Sequence, residues 1–181
     1  MKDKAEKRRR LGILTSGGFA HFIHDGFTDG LFVLLPIWAN IFGLSHSQVG
    51  FLKFCMTGTL AGFQMPAGFL AERFGERVVL SAGTILAGSG FILLVFADGF
   101  SSLALILIIA GIGASVQHPL ASSIISTAHD RSGRRAALGM YNFAGDLGKI
   151  VVPFTIAAVI ATFGWQTGTT LYGIIGILAG G

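Results

Sequence analysis

Charge is what this chain has least of. Only 12% of its 181 residues are Asp, Glu, Lys or Arg, about half the share of a water-soluble domain. Most of its surface is therefore built for a solvent other than water. Cysteine is nearly missing: Cys55 stands alone inside an apolar run, which excludes an internal disulfide and a thiolate metal cluster. The pattern G-x-x-x-x-G-K-[ST] is absent, which excludes phosphate binding and ATP hydrolysis of that kind. No nucleophile has a base beside it except Ser115, Ser122 and Ser123 near His118, a thin start for nucleophilic catalysis. The chain is therefore expected not to be an enzyme, and no cofactor is implied. Its apolar runs are long and do not alternate with polar residues, which excludes the strands of a membrane barrel.

What is present is apolar bulk and glycine. Hydrophobic residues make up 52%, with 27 Gly and 16 Phe. Gly lets membrane helices approach closely. Apolar stretches fall at 12–39, 47–70, 78–97, 102–126, 136–163 and 168–181. About 20 apolar residues cross a bilayer, and in lipid the backbone must bond to itself, so these stretches are expected to be helices. The first five are long enough. The sixth reaches Gly181 after 14 residues, so an incomplete sixth helix is expected, in a truncated chain or half of a longer one. A cleaved signal peptide is not expected, because His21, His24 and Asp25 interrupt the first apolar core.

The placement of the charges orients the chain. Lys2, Lys4, Lys7, Arg8, Arg9 and Arg10 precede the first span, Arg73 and Arg77 follow the second, and Arg131, Arg134 and Arg135 follow the fourth. These are 11 of the 13 basic residues, and the connections at 40–46, 98–101 and 164–167 hold none. Lys and Arg favour the cytoplasmic side. This places residues 1–11, a basic tail, and the N-terminus in the cytoplasm, and makes the net charge of +4 a sign of topology, not of a nucleic-acid partner. The expected location is the bacterial inner (plasma) membrane, multi-pass, with membrane lipid around residues 12–181.

The connection after the second span reads GFLAERFGER, residues 68–77. Gly75 permits a sharp reversal, Glu72 can face a helix N-terminus or an Arg, and Arg73 and Arg77 anchor the turn at the surface. With Gly68, this run resembles the G-x-L-A-D-R-x-G-R-[RK] loop of the major facilitator superfamily. Glu72 stands for the usual Asp, and Glu76 for a basic residue. Residues 21–38, 111–122 and 143–153 are similar to the first, fourth and fifth helices of its fosmidomycin-resistance-like efflux branch. Leu120, Asp146, Lys149 and Val152 depart from that branch. The resemblance implies an all-α membrane protein: the N-terminal six-helix half of a major facilitator fold, arranged as a 3+3 inverted repeat. It further implies that a missing C-terminal half or second chain completes the cavity, and that Gly68, Glu72, Arg73, Gly75 and Arg77 form a conformational latch.

Ionisable groups inside spans are costly and therefore candidates for function. His21, Asp25 and Asp29 recur at steps of four and share a helix face, with His24 and Thr28 beside it. Burial disfavours the charge of Asp25, which suits reversible protonation, and Asp29 lies nearer the outside. Spacing turns His24 partly away from His21 and Asp25, so no metal site is expected. Gln117, His118 and Pro119 occur together where proline frees a carbonyl and can kink a helix. His118 can carry a proton. Asn142, Asp146 and Lys149 share one face of the fifth span, and Asp146 and Lys149 can pair. Such a pair can be structural, or a substrate carboxylate can open it. Lys53, near the end of its span, is expected to reach the interface. Gly58 and Gly62, Gly145 and Gly148, and Gly176 and Gly180 are expected at close helix contacts. The function expected is secondary active transport of a small-molecule substrate by alternating access, coupled to protons, with drug efflux as the branch-level reading. Uptake of an organic anion and a non-transporting scaffold half-protein are the alternatives.

Overall fold

A computed structural model describes residues 2–181, with side chains from Lys4 onward; Met1 and the side chains of Lys2 and Asp3, part of the basic tail, lie outside the described residues. Helix α1 spans Lys2–Phe42, α2 His46–Gly62, α3 Gln64–Phe74, α4 Glu76–Leu93, α5 Phe100–Ala114, α6 Gln117–Ala128, α7 Arg134–Phe163 and α8 Trp165–Gly180, with a 3₁₀ turn at Leu94–Phe96. No strand occurs among the described residues. Three stretches, Glu76–Phe96, Phe100–Ala128 and Arg134–Phe163, are long and apolar enough to cross a membrane.

Local chemistry sets the helix ends. Ser45 caps α2: its Oγ accepts from the Gln48 amide at 3.3 Å while the Gln48 side chain accepts from the Ser45 amide at 2.9 Å, which satisfies two amides that no helical carbonyl reaches. Gly75 joins α3 to α4 at φ 90°, a backbone that disfavours a side chain. Asp130 closes the turn into α7 by accepting from the Gly133 amide at 2.9 Å.

Two of the apolar stretches are broken, and proline explains both. Pro66 lacks the N–H that would bond Gly62, and the helix is interrupted at Phe63. Pro119 lacks the N–H that would bond Ser115, and the helix is interrupted at Ser115 and Val116. A missing donor and a ring clash one turn back are the common cause. The second break matches the expected kink, while the first was not read from the sequence. The described part of the basic tail is helical and continues into the first span. Glu6 and Arg10, one turn apart, form an ion pair at 2.7 Å that favours helix, and Arg10 also bonds Asp130 at 2.9 Å.

The core lies where α1 meets α2, α4, α5, α7 and α8. Phe27, Leu31, Leu34, Leu35 and Trp38 recur at helical spacing on α1 and are buried against Leu52 and Met56 of α2, Phe91 of α4 and Leu103 and Leu107 of α5. The rings of Phe27 and Phe91 stack at 4.5 Å. Glycine sets the closest approaches. A Cβ on Gly148 of α7 would strike the Phe22 carbonyl of α1, and a Cβ on Gly88 of α4 would lie 2.7 Å from the Gly173 carbonyl of α8. Gly176 and Gly180 also face α4, whereas Gly58 meets only Phe54 of its own helix and Gly62 meets nothing. The outer surface is apolar: Phe19, Phe32, Phe54, Met65, Phe69, Phe96, Phe154 and Leu178 are all more than half exposed. A surface of this kind suits hydrocarbon.

Candidate functional site: a charged cluster at the centre of the bundle

The site begins on α1, where steps of four carry His21, Asp25 and Asp29 up one face. His21, His24 and Asp25 are each 5% exposed or less. The break before Gln117 turns the start of α6 so that His118 reaches the same point, and α7 brings Lys149. Four nitrogen groups surround the Asp25 carboxylate. His21 Nε2 lies 3.3 Å from Oδ2 and Lys149 Nζ 3.3 Å from Oδ2, while His24 Nε2 and His118 Nε2 each lie 3.9 Å from Oδ1. Burial was expected to act on Asp25 alone; the structure sets four potential counter-charges against it.

The helix packing holds this arrangement. His21 Nδ1 donates to the Tyr141 carbonyl at 3.0 Å and its ring stacks on Tyr141 at 4.1 Å. Gly145 makes room: a Cβ there would lie 2.6 Å from His21 Cε1 and 2.8 Å from Asp25 Oδ2. His118 sets its ring edge-on to His21 at 5.1 Å and to His24 at 4.9 Å. The Nε2 atoms of His21 and His24 are buried with no hydrogen-bond partner among the described residues, as are both amide atoms of Gln117.

The cluster opens into a cleft of about 170 Å³ lined by Asp25, Thr28, Asp29, Thr57, Leu60, His118 and Lys149. Lys149 sits at its lip and bonds Asp146 at 2.9 Å, the pairing expected from their spacing. Both side chains are exposed, Lys149 by 45% and Asp146 by 67%. Asn142 is exposed one turn earlier on α7 and is not part of the cleft wall. Three groups beside the site were given no part in it by the sequence. Lys53, expected at the interface, instead donates to the Thr28 carbonyl at 2.9 Å and lies 4.0 Å above the Phe32 ring. Tyr141 and Gly145 shape the His21 and Asp25 pocket; the glycine spacing of α7 pointed to Gly145, but nothing in the sequence pointed to Tyr141.

The turn at residues 68–77 lies apart from this cluster. Gly75 makes the reversal, and Arg73 lies 5.3 Å from the Phe74 ring. Glu72 and Arg77 are exposed and Gly68 half-buried. Glu72 has no hydrogen bond or ion pair among the described residues. Glu76 holds the turn to α6 instead, accepting a hydrogen bond from Ser123 Oγ. Across the same end of the bundle, the Gly133 amide, Arg10 and Ser132 hold the Asp130 carboxyl well below the usual carboxylate range, and Asp130 and then Glu6 raise the Arg10 guanidinium.

Comparison with known proteins agrees with this architecture. Residues 17–181 match the family profile of the Major Facilitator Superfamily. The probable L-galactonate transporter of Escherichia coli is 28% identical over 140 residues, covering 75% of this chain and 30% of that protein. The probable sulfoacetate transporter SauU of Cupriavidus necator is 24% identical over 178 residues, covering 98% of this chain and 41% of that protein. The chain thus spans well under half the length of these curated relatives. The crystal structure of the POT family transporter PepTSo superposes with a TM-score of 0.80 at 17% identity, over 96% of this chain and 36% of that one. This all-helical, multi-pass membrane chain belongs to the Major Facilitator Superfamily.

Proposed function

We propose that the chain is one six-span half of a secondary transporter, which moves a small organic anion across the bacterial inner membrane by alternating access. The observation that carries this reading is the cleft beside Asp25. Charged groups buried in a bundle of low charge are costly unless they serve a passenger or its driving ion, and here α1, α6 and α7 all contribute to one cluster. Lys149 is the group that meets the solute. It has two carboxylate partners, Asp25 and Asp146, so a solute carboxylate or sulfonate can replace either without stranding the ammonium. The names of the L-galactonate and sulfoacetate relatives support an acidic solute. Efflux of a drug-like compound is the second reading, favoured by the resemblance of residues 21–38, 111–122 and 143–153 to that branch.

In this proposal protons drive the cycle, and Asp29 carries them. It lines the cleft and has no ion pair within 4 Å among the described residues. The spans number six, in a 3+3 arrangement, with the N-terminus and the connections holding Arg73 and Arg131 on the cytoplasmic side. A second half, or a second chain, covers the exposed Asp146 and Lys149, because hydrocarbon satisfies neither charge. The glycine-rich turn at 68–77 acts as a latch, with Glu76 rather than Glu72 bearing on α6.

The test is uptake of radiolabelled hydroxy-acid and sulfonate anions, under an imposed pH gradient, into liposomes holding the purified protein assembled with the second half that the proposal requires. Accumulation that collapses with the gradient is the expected result. Accumulation of these solutes at the rate of protein-free liposomes would refute the reading.

A further inference from the structure

The buried imidazoles raise a question that solute transport leaves unanswered. His21 Nδ1 lies against a carbonyl oxygen, the Tyr141 carbonyl. A carbonyl can only accept, so Nδ1 carries the hydrogen and a neutral ring presents a bare lone pair at Nε2. That lone pair faces a carboxylate oxygen at 3.3 Å. Two acceptors face each other unless a proton or a metal ion lies between them, and either makes the contact favourable. His24 Nε2 is likewise buried without a hydrogen-bond partner among the described residues and lies 3.9 Å from the other oxygen of the same carboxylate.

We propose that His21, Asp25 and His118 bind a divalent transition-metal ion of the zinc type, with His24 as a neighbouring fourth donor. One ligand atom from each of the first three lies within 4.8 Å of the others. Four ligands at about 2.0–2.1 Å around a tetrahedral ion stand roughly 3.3 Å apart. The His21 and Asp25 atoms already have that spacing. His118 Nε2 lies 3.9 Å from the other carboxylate oxygen, Oδ1, and must draw closer; it is the ligand able to do so, with 43% of its side chain exposed. The other parts expected of such a site are present. The Tyr141 carbonyl fixes the His21 tautomer and ring, the role an outer-shell acceptor plays for a ligating histidine. Gly145 keeps α7 clear of the two α1 ligands. Imidazole nitrogens with one carboxylate oxygen select zinc, cobalt or nickel over magnesium and calcium, which take oxygen ligands.

Lys149 opposes the ion, since its ammonium lies 3.3 Å from Asp25 Oδ2. Its second partner, Asp146 at 2.9 Å, lets it withdraw from Asp25 as the ion arrives. Removing the ammonium should therefore tighten binding. The sequence spacing of His21, His24 and Asp25 hides this site because the third ligand comes from α6. The inference concerns binding, and stands or falls independently of the transport reading.

The experiment is titration of the tag-free purified protein in detergent with Co²⁺, followed by Zn²⁺. Expected are the visible d–d bands of four-coordinate cobalt at one ion per chain, bleached by Zn²⁺, and a rise in melting temperature with Zn²⁺ because an ion that binds only the folded chain stabilises it. His21→Ala and His118→Ala should each weaken binding by more than about tenfold, the least that loss of even an outer-shell partner costs; Lys149→Met should strengthen it. Absence of cobalt bands together with an unmoved melting temperature in the unsubstituted protein would overturn the proposal, as would bands that survive both histidine substitutions.

Discussion

Three glycines on α7 allow one substitution to be compared at three depths. Gly139 has nothing within 4 Å of a built Cβ. At Gly145 the Cβ falls 2.6–2.8 Å from the His21 ring and the Asp25 carboxylate. At Gly148 it strikes the carbonyl and Cα of Phe22, backbone atoms that cannot turn aside. Alanine gains about 0.8–1.0 kcal/mol of helix propensity over glycine, whatever the position. Overpacking costs about 1–3 kcal/mol where neighbours cannot give. Gly139→Ala should thus be neutral or stabilising. Gly148→Ala should fall about 1–3 kcal/mol below it, because α1 and α7 must separate along their shared face. Gly145→Ala should lie between, since side chains there can shift. The assay is reversible unfolding of the three variants in mixed micelles, with Gly139→Ala as the common reference. Equal stability of Gly139→Ala and Gly148→Ala would refute the packing of α1 on α7 described above.

Two other predictions follow from contacts outside the cluster. Lys53→Met removes the ammonium that donates to the Thr28 carbonyl but keeps the stem against Phe32, and should cost about 1.5–3 kcal/mol in the same unfolding assay, the usual loss for a hydrogen bond made by a charged group; an unchanged stability would return Lys53 to the membrane interface. Asp130, held below its ordinary range by Gly133, Arg10 and Ser132, contributes stability above the ordinary carboxylate range and loses it as pH falls through its lowered value. The difference in melting temperature between the unsubstituted protein and Asp130→Asn should therefore hold steady from about pH 7 down to about pH 4 and shrink below that; a difference that shrinks first above about pH 5 would contradict the proposed ties.

Much of this fold was legible because lipid imposes a simple rule: long apolar runs become helices. The runs at 78–97 and 136–163 fall on Glu76–Phe96 and Arg134–Phe163. The break before His118 was legible too, since Pro119 announces its missing donor. The break at Phe63 follows the same rule through Pro66 and went unread amid the glycines around it. The helix of the basic tail was not read from the sequence, although Glu6 and Arg10 stand one turn apart. The candidate site was half legible. Periodicity places His21, Asp25 and Asp29 on one face of α1, and Asp146 and Lys149 on one face of α7. It gives no sign of which helices meet. His118 is 93 residues from Asp25 in sequence, and only packing brings it to 3.9 Å. Tyr141 acts through its carbonyl and its stacked ring, and its place in the sequence does not show that it meets His21 of another helix. Glu72 and Glu76 show the same limit: either can bear on a neighbour, and the position of Ser123 on α6 decides for Glu76.

The central claim is that the cleft between Asp25 and Lys149 receives the solute. A cysteine placed at Thr57, on the cleft wall, in a protein whose Cys55 has been replaced by Ala, reports on that directly. Its rate of alkylation by a small charged maleimide should fall when the transported anion is added, and the protection should vanish in Lys149→Ala. An alkylation rate indifferent to the anion, in a protein that still transports it, would contradict the account.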